Sequence, residues 1–89
     1  MLVSLAVERS NLEHRASSAS LAYLDPAIME QADLPAGSLI RVTTFWGRTI
    51  WARVGPAQES DRSSGLIRLD RFQRQSLKAR LHEAVEVFV

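Results

Sequence analysis

Histidines, loop serines and a run of arginines are the side chains of this 89-residue sequence that chemistry could use. His14 and His82 stand far apart, no cysteine accompanies them, and neither has a Glu or His at helical ligand spacing. A zinc site needs three or four converging ligands, so both read as surface or turn residues, and no metal or other cofactor is expected. Ser17, Ser18, Ser20, Ser63 and Ser64 lie in polar stretches without a Gly-x-Ser-x-Gly elbow, which argues against a hydrolase. The basic residues are better arranged. Arg71, Arg74 and Lys78 recur at i, i+3 and i+7, one face of a helix, with Arg68 and Arg80 nearby. They read as a solvated face, or as a patch for an acidic peptide, an adaptor or a neighbouring domain. Trp51 has the opposite parity from Ile50 and Ala52, so it should point outward beside Thr49 and Arg53. An outward tryptophan marks an interface, unless polar loops or Phe45 and Trp46 cover it.

These residues need elements to hold them, and the sequence supplies two similar sets. Residues 18–44 and 63–89 align without a gap, with identities at Ser18/Ser63, Leu21/Leu66, Leu24/Leu69, Asp25/Asp70 and Val42/Val87. Each copy reads as an alternating strand ending in a helix-capping Asp, a short helix, and a second alternating strand. Asp25-Pro26 is a helix start of N-cap and N1 type. Val3, Leu5 and Val7 alternate like Ile50, Ala52 and Val54, so each half gains a first strand. Arg9 to Ser18 reads as a polar loop, and Phe45-Trp46-Gly47-Arg48 as a tight connection between the third and fourth strands. The expected order is β-β-α-β twice in one domain, with halves of about 1–45 and 46–89. No helix is long enough to cover a sheet face, so the halves must close on each other, which favours a mainly β, six-stranded barrel with two short helices.

Composition sets outer limits. Hydrophobic residues make up 46% and charged residues 24%, ordinary for a globular chain. The absence of cysteine removes disulfides and thiolate metal sites and favours a cytoplasmic location. No apolar run approaches the ~20 residues a membrane helix needs. The formal charge of +1 divides into a slightly acidic first half and a basic second half. So small a charge argues against nucleic acid as the partner.

The order and spacing of these pieces resemble the N-terminal domain of valosin-containing-protein-type AAA ATPases. The best-matched stretch is Pro56-Ala57, then Asp61-Arg62, then Gly65-Leu66-Ile67-Arg68-Leu69-Asp70, and the chain closes with Ala84-Val85-Glu86-Val87. Leu24-Asp25, Met29, Leu34, Gly37 and Leu39-Ile40-Arg41-Val42 fit the family's first helix, turn and third strand. The resemblance implies a double-psi β-barrel of two interlocked β-β-α-β units. It also implies a non-catalytic module that binds protein adaptors or substrates, or neighbouring domains, of an unfoldase. The family has glycine after each helix, where Asp33 and Lys78 stand here, and before the last strand, where His82 stands. Those departures put the second turn in question and allow a longer second helix. No Gly-x-x-x-x-Gly-Lys-Ser/Thr loop is present, so ATP is not bound by that route. On exposure and charge, the residues expected to meet a partner are Trp51 and Arg53, with Arg68, Arg71, Arg74 and Lys78. Two other readings stay open: a nucleic-acid-binding regulator of related topology, and a pyruvoyl-type decarboxylase, whose self-cleaving bond Gly37-Ser38 is similar to. Oligomeric state is open too, with the Val89 edge or Trp51 as possible dimer contacts.

Overall fold

A computed structural model describes residues 1–10 and 21–89. The stretch read as a polar loop, with His14, Ser17 and Ser18, lies largely outside them, as does Ser20. Six strands and two helices follow the expected order: β1 Leu2–Arg9, β2 Leu21–Leu24, α1 Pro26–Gln31, β3 Leu39–Thr43, β4 Thr49–Val54, β5 Leu66–Leu69, α2 Arg71–Leu77 and β6 Ala84–Phe88. A 3-10 turn, Glu59–Asp61, stands between β4 and β5.

The strands close into a barrel in the order β1-β5-β2-β4-β3-β6. Alternation along each strand explains the closure, because one set of side chains needs an interior. Leu5, Val7, Ile40, Val42, Ala52, Val54, Ile67, Leu69, Val85 and Val87 all point inward and are buried. Each large aliphatic among them contributes on the order of 1.5–3 kcal/mol by leaving water. Leu77 of α2 and Met29 of α1 join the same core. Read around the barrel, strands of the first half (β1 to β3) alternate with strands of the second (β4 to β6), so every strand bonds only to the other half. Two pairings are parallel, β1 with β5 and β2 with β4.

Closure corrects one expectation. No open edge exists at Val89, because β6 is paired on both sides, with β1 and β3. Val89 N–H also donates to the Met1 carbonyl at 3.0 Å, and the Met1 ammonium to the Val89 carbonyl at 3.1 Å. An edge-to-edge dimer at this strand is therefore ruled out.

The two copies are locally alike because they solve the same backbone problem. Asp25 and Asp70 both cap their helices, and Asp70 forms a reciprocal capping box with Gln73. At the other end of each helix, Asp33 (φ 51°) and Lys78 (φ 54°) take the left-handed conformation usually given to glycine. Gly37 (φ 92°) and His82 (φ 72°) do the same before β3 and β6. The second turn thus keeps its geometry without glycine. The second helix exceeds the first by one residue, seven against six.

Candidate functional site

Asp25 ties the two halves together. Its Oδ1 accepts from the Ala27 amide at 2.9 Å, which caps α1, and from the Ser63 amide at 2.8 Å. Oδ2 accepts from the Gly65 amide at 2.9 Å. Burial alone would raise the pKa of this carboxyl. The three amide bonds, with the charge of Arg62, outweigh burial and hold it below the ordinary value.

The expected site residues occupy three environments. Trp51 and Arg53 lie on the outer face of β4, as their parity requires, and both are exposed. Trp51 is 61% accessible, so neither the loops nor Phe45 and Trp46 bury it. Arg53 Nη1 donates to the Gly37 carbonyl at 3.0 Å, which holds the side chain along the sheet. Arg68 on β5 points outward, between the inward Ile67 and Leu69, but is committed to partners on the barrel surface. Its Nε and Nη2 form a two-pronged pair with the buried Asp61 carboxylate at 2.7 and 3.0 Å, and Nη1 donates to the Arg9 carbonyl at 2.8 Å. The hydrogen bond to Asp61 raises the Arg68 pKa against the opposing effect of burial.

On α2 the three cations differ in exposure and in what holds them. Arg71 is exposed, its guanidinium 5.4 Å from the ring centre of the exposed Phe72. Arg74 is half-buried and donates from Nη1 to the Leu69 carbonyl at 2.6 Å. Lys78 is exposed but stands in the left-handed turn that ends the helix.

A second group, which the periodicity alone did not single out, gathers around Trp51. Register places Arg41 of β3 directly opposite Trp51 of β4 and Phe88 of β6, and Phe88 opposite Leu2 of β1. Leu2, Phe88, Arg41 and Trp51 therefore form one row across four strands on the outside of the barrel. The Arg41 guanidinium carbon lies 4.1 Å from the Phe88 ring centre and 5.9 Å from that of Trp51, within cation–π range. Arg41 Nε is buried without a hydrogen-bond partner among the described residues. The available signal was the outward parity of residues 39, 41 and 43 and of 84, 86 and 88, but only the register makes them neighbours.

A cleft of about 480 Å³ opens elsewhere, against α1, between Pro26, Met29, Leu34, Pro35 and Ala57. Its rim is an ion-pair cluster in which Arg62 Nη2 reaches Glu30 at 2.7 Å and Glu59 at 2.8 Å. Hydrogen bonding to Arg62 holds the Glu30 carboxyl below its usual range. His82 Nε2 lies 3.3 Å from Glu8 Oε2 on the exposed surface. Among the described residues, no three of His, Asp and Glu converge as metal ligands would, and no helix is long and apolar enough to cross a membrane.

A closed six-stranded barrel with two parallel crossings and a short helix in each repeat is a double-psi β-barrel. The family model for "Cell division protein 48 (CDC48), N-terminal domain" matches residues 4–89, and the chain belongs to that family. Among solved structures, the double-psi barrel domain of a valosin-containing-protein-like ATPase from Methanopyrus kandleri is 30% identical, with a TM-score of 0.81 over 98% of this chain and 96% of that one. The corresponding domain from Aeropyrum pernix superposes with a TM-score of 0.84 at 23% identity, covering 98% and 93%, and speaks for the fold alone. A rationally designed protein, apDPBB_sym_79, is 25% identical, with a TM-score of 0.83 over 98% and 96%. Comparison with curated protein sequences returns no significant match.

Proposed function

We propose that the chain is a non-catalytic protein-recognition domain that brings adaptors or substrates to a valosin-containing-protein-like AAA ATPase in the cytoplasm, or docks onto that machine. Membership of the N-terminal domain family supports the ATPase link. The observation that carries recognition is the exposed Trp51 on a rigid strand, beside Arg53 and opposite Arg41. Aromatic and arginine side chains dominate binding energy at protein interfaces, and a closed barrel holds them with little ordering entropy left to lose. Arg71 and Lys78 offer a second, cationic surface on α2. Arg68 and Arg74 are tied to the barrel through Asp61 and the Leu69 carbonyl.

The test begins with the size of the polypeptide in its source cells, read by immunoblot. A band well above the 10.0 kDa of this sequence supports attachment to a larger machine. Immobilised protein should then retain specific proteins from cell extract, and Trp51→Ala should reduce that retention. Recognition of proteins is refuted if only nucleic acid is retained, with affinity falling steeply as salt rises.

A further inference from the structure

The row Leu2, Phe88, Arg41 and Trp51 is apolar at both ends and cationic in the middle. Leu2 is 50% accessible and Phe88 37%, and Leu39, two residues before Arg41 on β3, is 52% accessible. Arg41 is only half-buried, yet no carbonyl or carboxylate among the described residues accepts from it. Its charge rests on two aromatic faces instead. An arginine stacked in this way has its orientation fixed; its Nε is buried, and the terminal nitrogens are the donors left for a carboxylate arriving from outside.

The surrounding charges select the same partner. Arg53 and the exposed Arg48 flank β4, and register places one acid, Glu86, opposite Thr43 in the adjoining row. Cations therefore outnumber acids around the row, and the other outward residues beside it are Ser4, Thr43 and Thr49. A second copy laid on this face would bring arginine against arginine, which favours a different partner. Four strands at about 4.8 Å spacing make the row roughly 14 Å across. That is the length of about nine residues of helix, the scale of a short segment rather than of a whole domain face.

We propose that this outer face of β1, β6, β3 and β4 docks a short peptide segment of a partner protein that presents a carboxylate between apolar side chains. The carboxylate pairs with Arg41, and the apolar side chains cover Trp51 on one side and Phe88 with Leu2 on the other. This deepens the recognition reading and rests on it.

The test is a nitrogen-15 NMR titration with two synthetic peptides of about twelve residues, enough to cross the row. They are identical, with leucine and phenylalanine on either side, except for a central glutamate in one and glutamine in the other. The glutamate peptide should move the amide signals of Leu2, Arg41, Trp51 and Phe88 together with the Trp51 indole. The glutamine peptide should bind about fivefold more weakly or worse, the scale of one charge-assisted hydrogen bond at a half-exposed site. Arg41→Gln should erase that difference, Arg41→Lys should retain part of it, and Trp51→Ala should weaken both peptides. Dispersed spectra establish that each variant is folded. Equal affinity for the two peptides overturns the proposal. So do shifts gathered at Met29 and Leu34 in the α1 cleft, or binding of anionic phospholipid vesicles with neither peptide bound. If Arg41→Gln and Trp51→Ala leave protein capture from extract unchanged, this face is overturned while the recognition reading stands. If neither peptide binds and no protein is captured from extract, the recognition reading falls and this face with it.

Discussion

Removing the Asp25 carboxylate tests whether one side chain joins the two halves. Asp25→Ala deletes the α1 cap, worth about 1 kcal/mol, and takes the acceptor from the Ser63 and Gly65 amides that precede β5. A hydrogen bond to a charged group is worth about 1.5–3 kcal/mol. Ser63 and Gly65 are themselves exposed, so water recovers part of that loss. The expected cost is about 3–4 kcal/mol, or roughly 15–30 °C in Tm at the 4–8 °C per kcal/mol typical of a domain this size. Asp25→Asn keeps one oxygen for Ala27 and Ser63 but turns an amide NH2 toward the Gly65 N–H, so about half the loss should remain.

The pH dependence carries a sign. The folded pKa lies below the ordinary value of 3.8. The stabilisation is therefore fully present above that value and disappears as pH falls through the lower folded pKa. Urea melts followed by circular dichroism should show the full gap between wild type and Asp25→Asn at pH 7. Below about pH 4, where ordinary carboxyls protonate, the gap should narrow. A cost below about 1 kcal/mol for Asp25→Ala, the worth of a lone helix cap, refutes the account, as does a gap that stays constant into acid.

Gly55 faces the buried Tyr23, and a methyl group built there would lie 2.4 Å from the ring carbon Cε1, so Gly55→Ala should destabilise by about 1–3 kcal/mol. Adding Tyr23→Ala should remove the clash, which a double-mutant cycle by thermal melting detects as coupling. Lys78→Gly should stabilise by about 0.5–1 kcal/mol, because the left-handed conformation at φ 54° costs a lysine but not a glycine; chemical denaturation measures this. Asp61→Ala should cost about 2–3 kcal/mol, since it leaves the Arg68 guanidinium half-buried with only the Arg9 carbonyl. The companion change Arg68→Met in the same background should recover part of that loss.

The barrel was legible because it depends on short-range signals that repeat. Alternation set the inward faces, Asp25-Pro26 and Asp70 marked the helix starts, and five aligned identities tied the copies together. The sequence left the second turn in question, since neither lysine nor histidine announces the left-handed backbone that Lys78 and His82 adopt. The surface was harder to read. Parity put Trp51 outside, but its neighbours Arg41 and Phe88 come from strands 10 residues before and 37 after it, joined only by register. Arg68 and Arg74 looked like surface charge because periodicity reports a face and not a partner. The Asp61 carboxylate and the Leu69 carbonyl that hold them in place become visible only with the fold. Phe72, within the basic run, was passed over for the same reason: its exposure is a property of where α2 packs.

The alternation of halves around the barrel also dictates when this chain can begin to fold during synthesis. As the first half emerges, β1, β2 and β3 have no partner among themselves, since each pairs only with β4, β5 or β6. The earliest ladder open to it is β3 with β4, a hairpin closed by the Thr44–Arg48 turn. β2 can then dock beside β4, but β1 must wait for β5 and β6, more than fifty residues later. At about 5–20 residues per second, the first strand spends several seconds in the cell as bare, alternating apolar chain. For that interval no strand of the first half can satisfy its backbone on both sides.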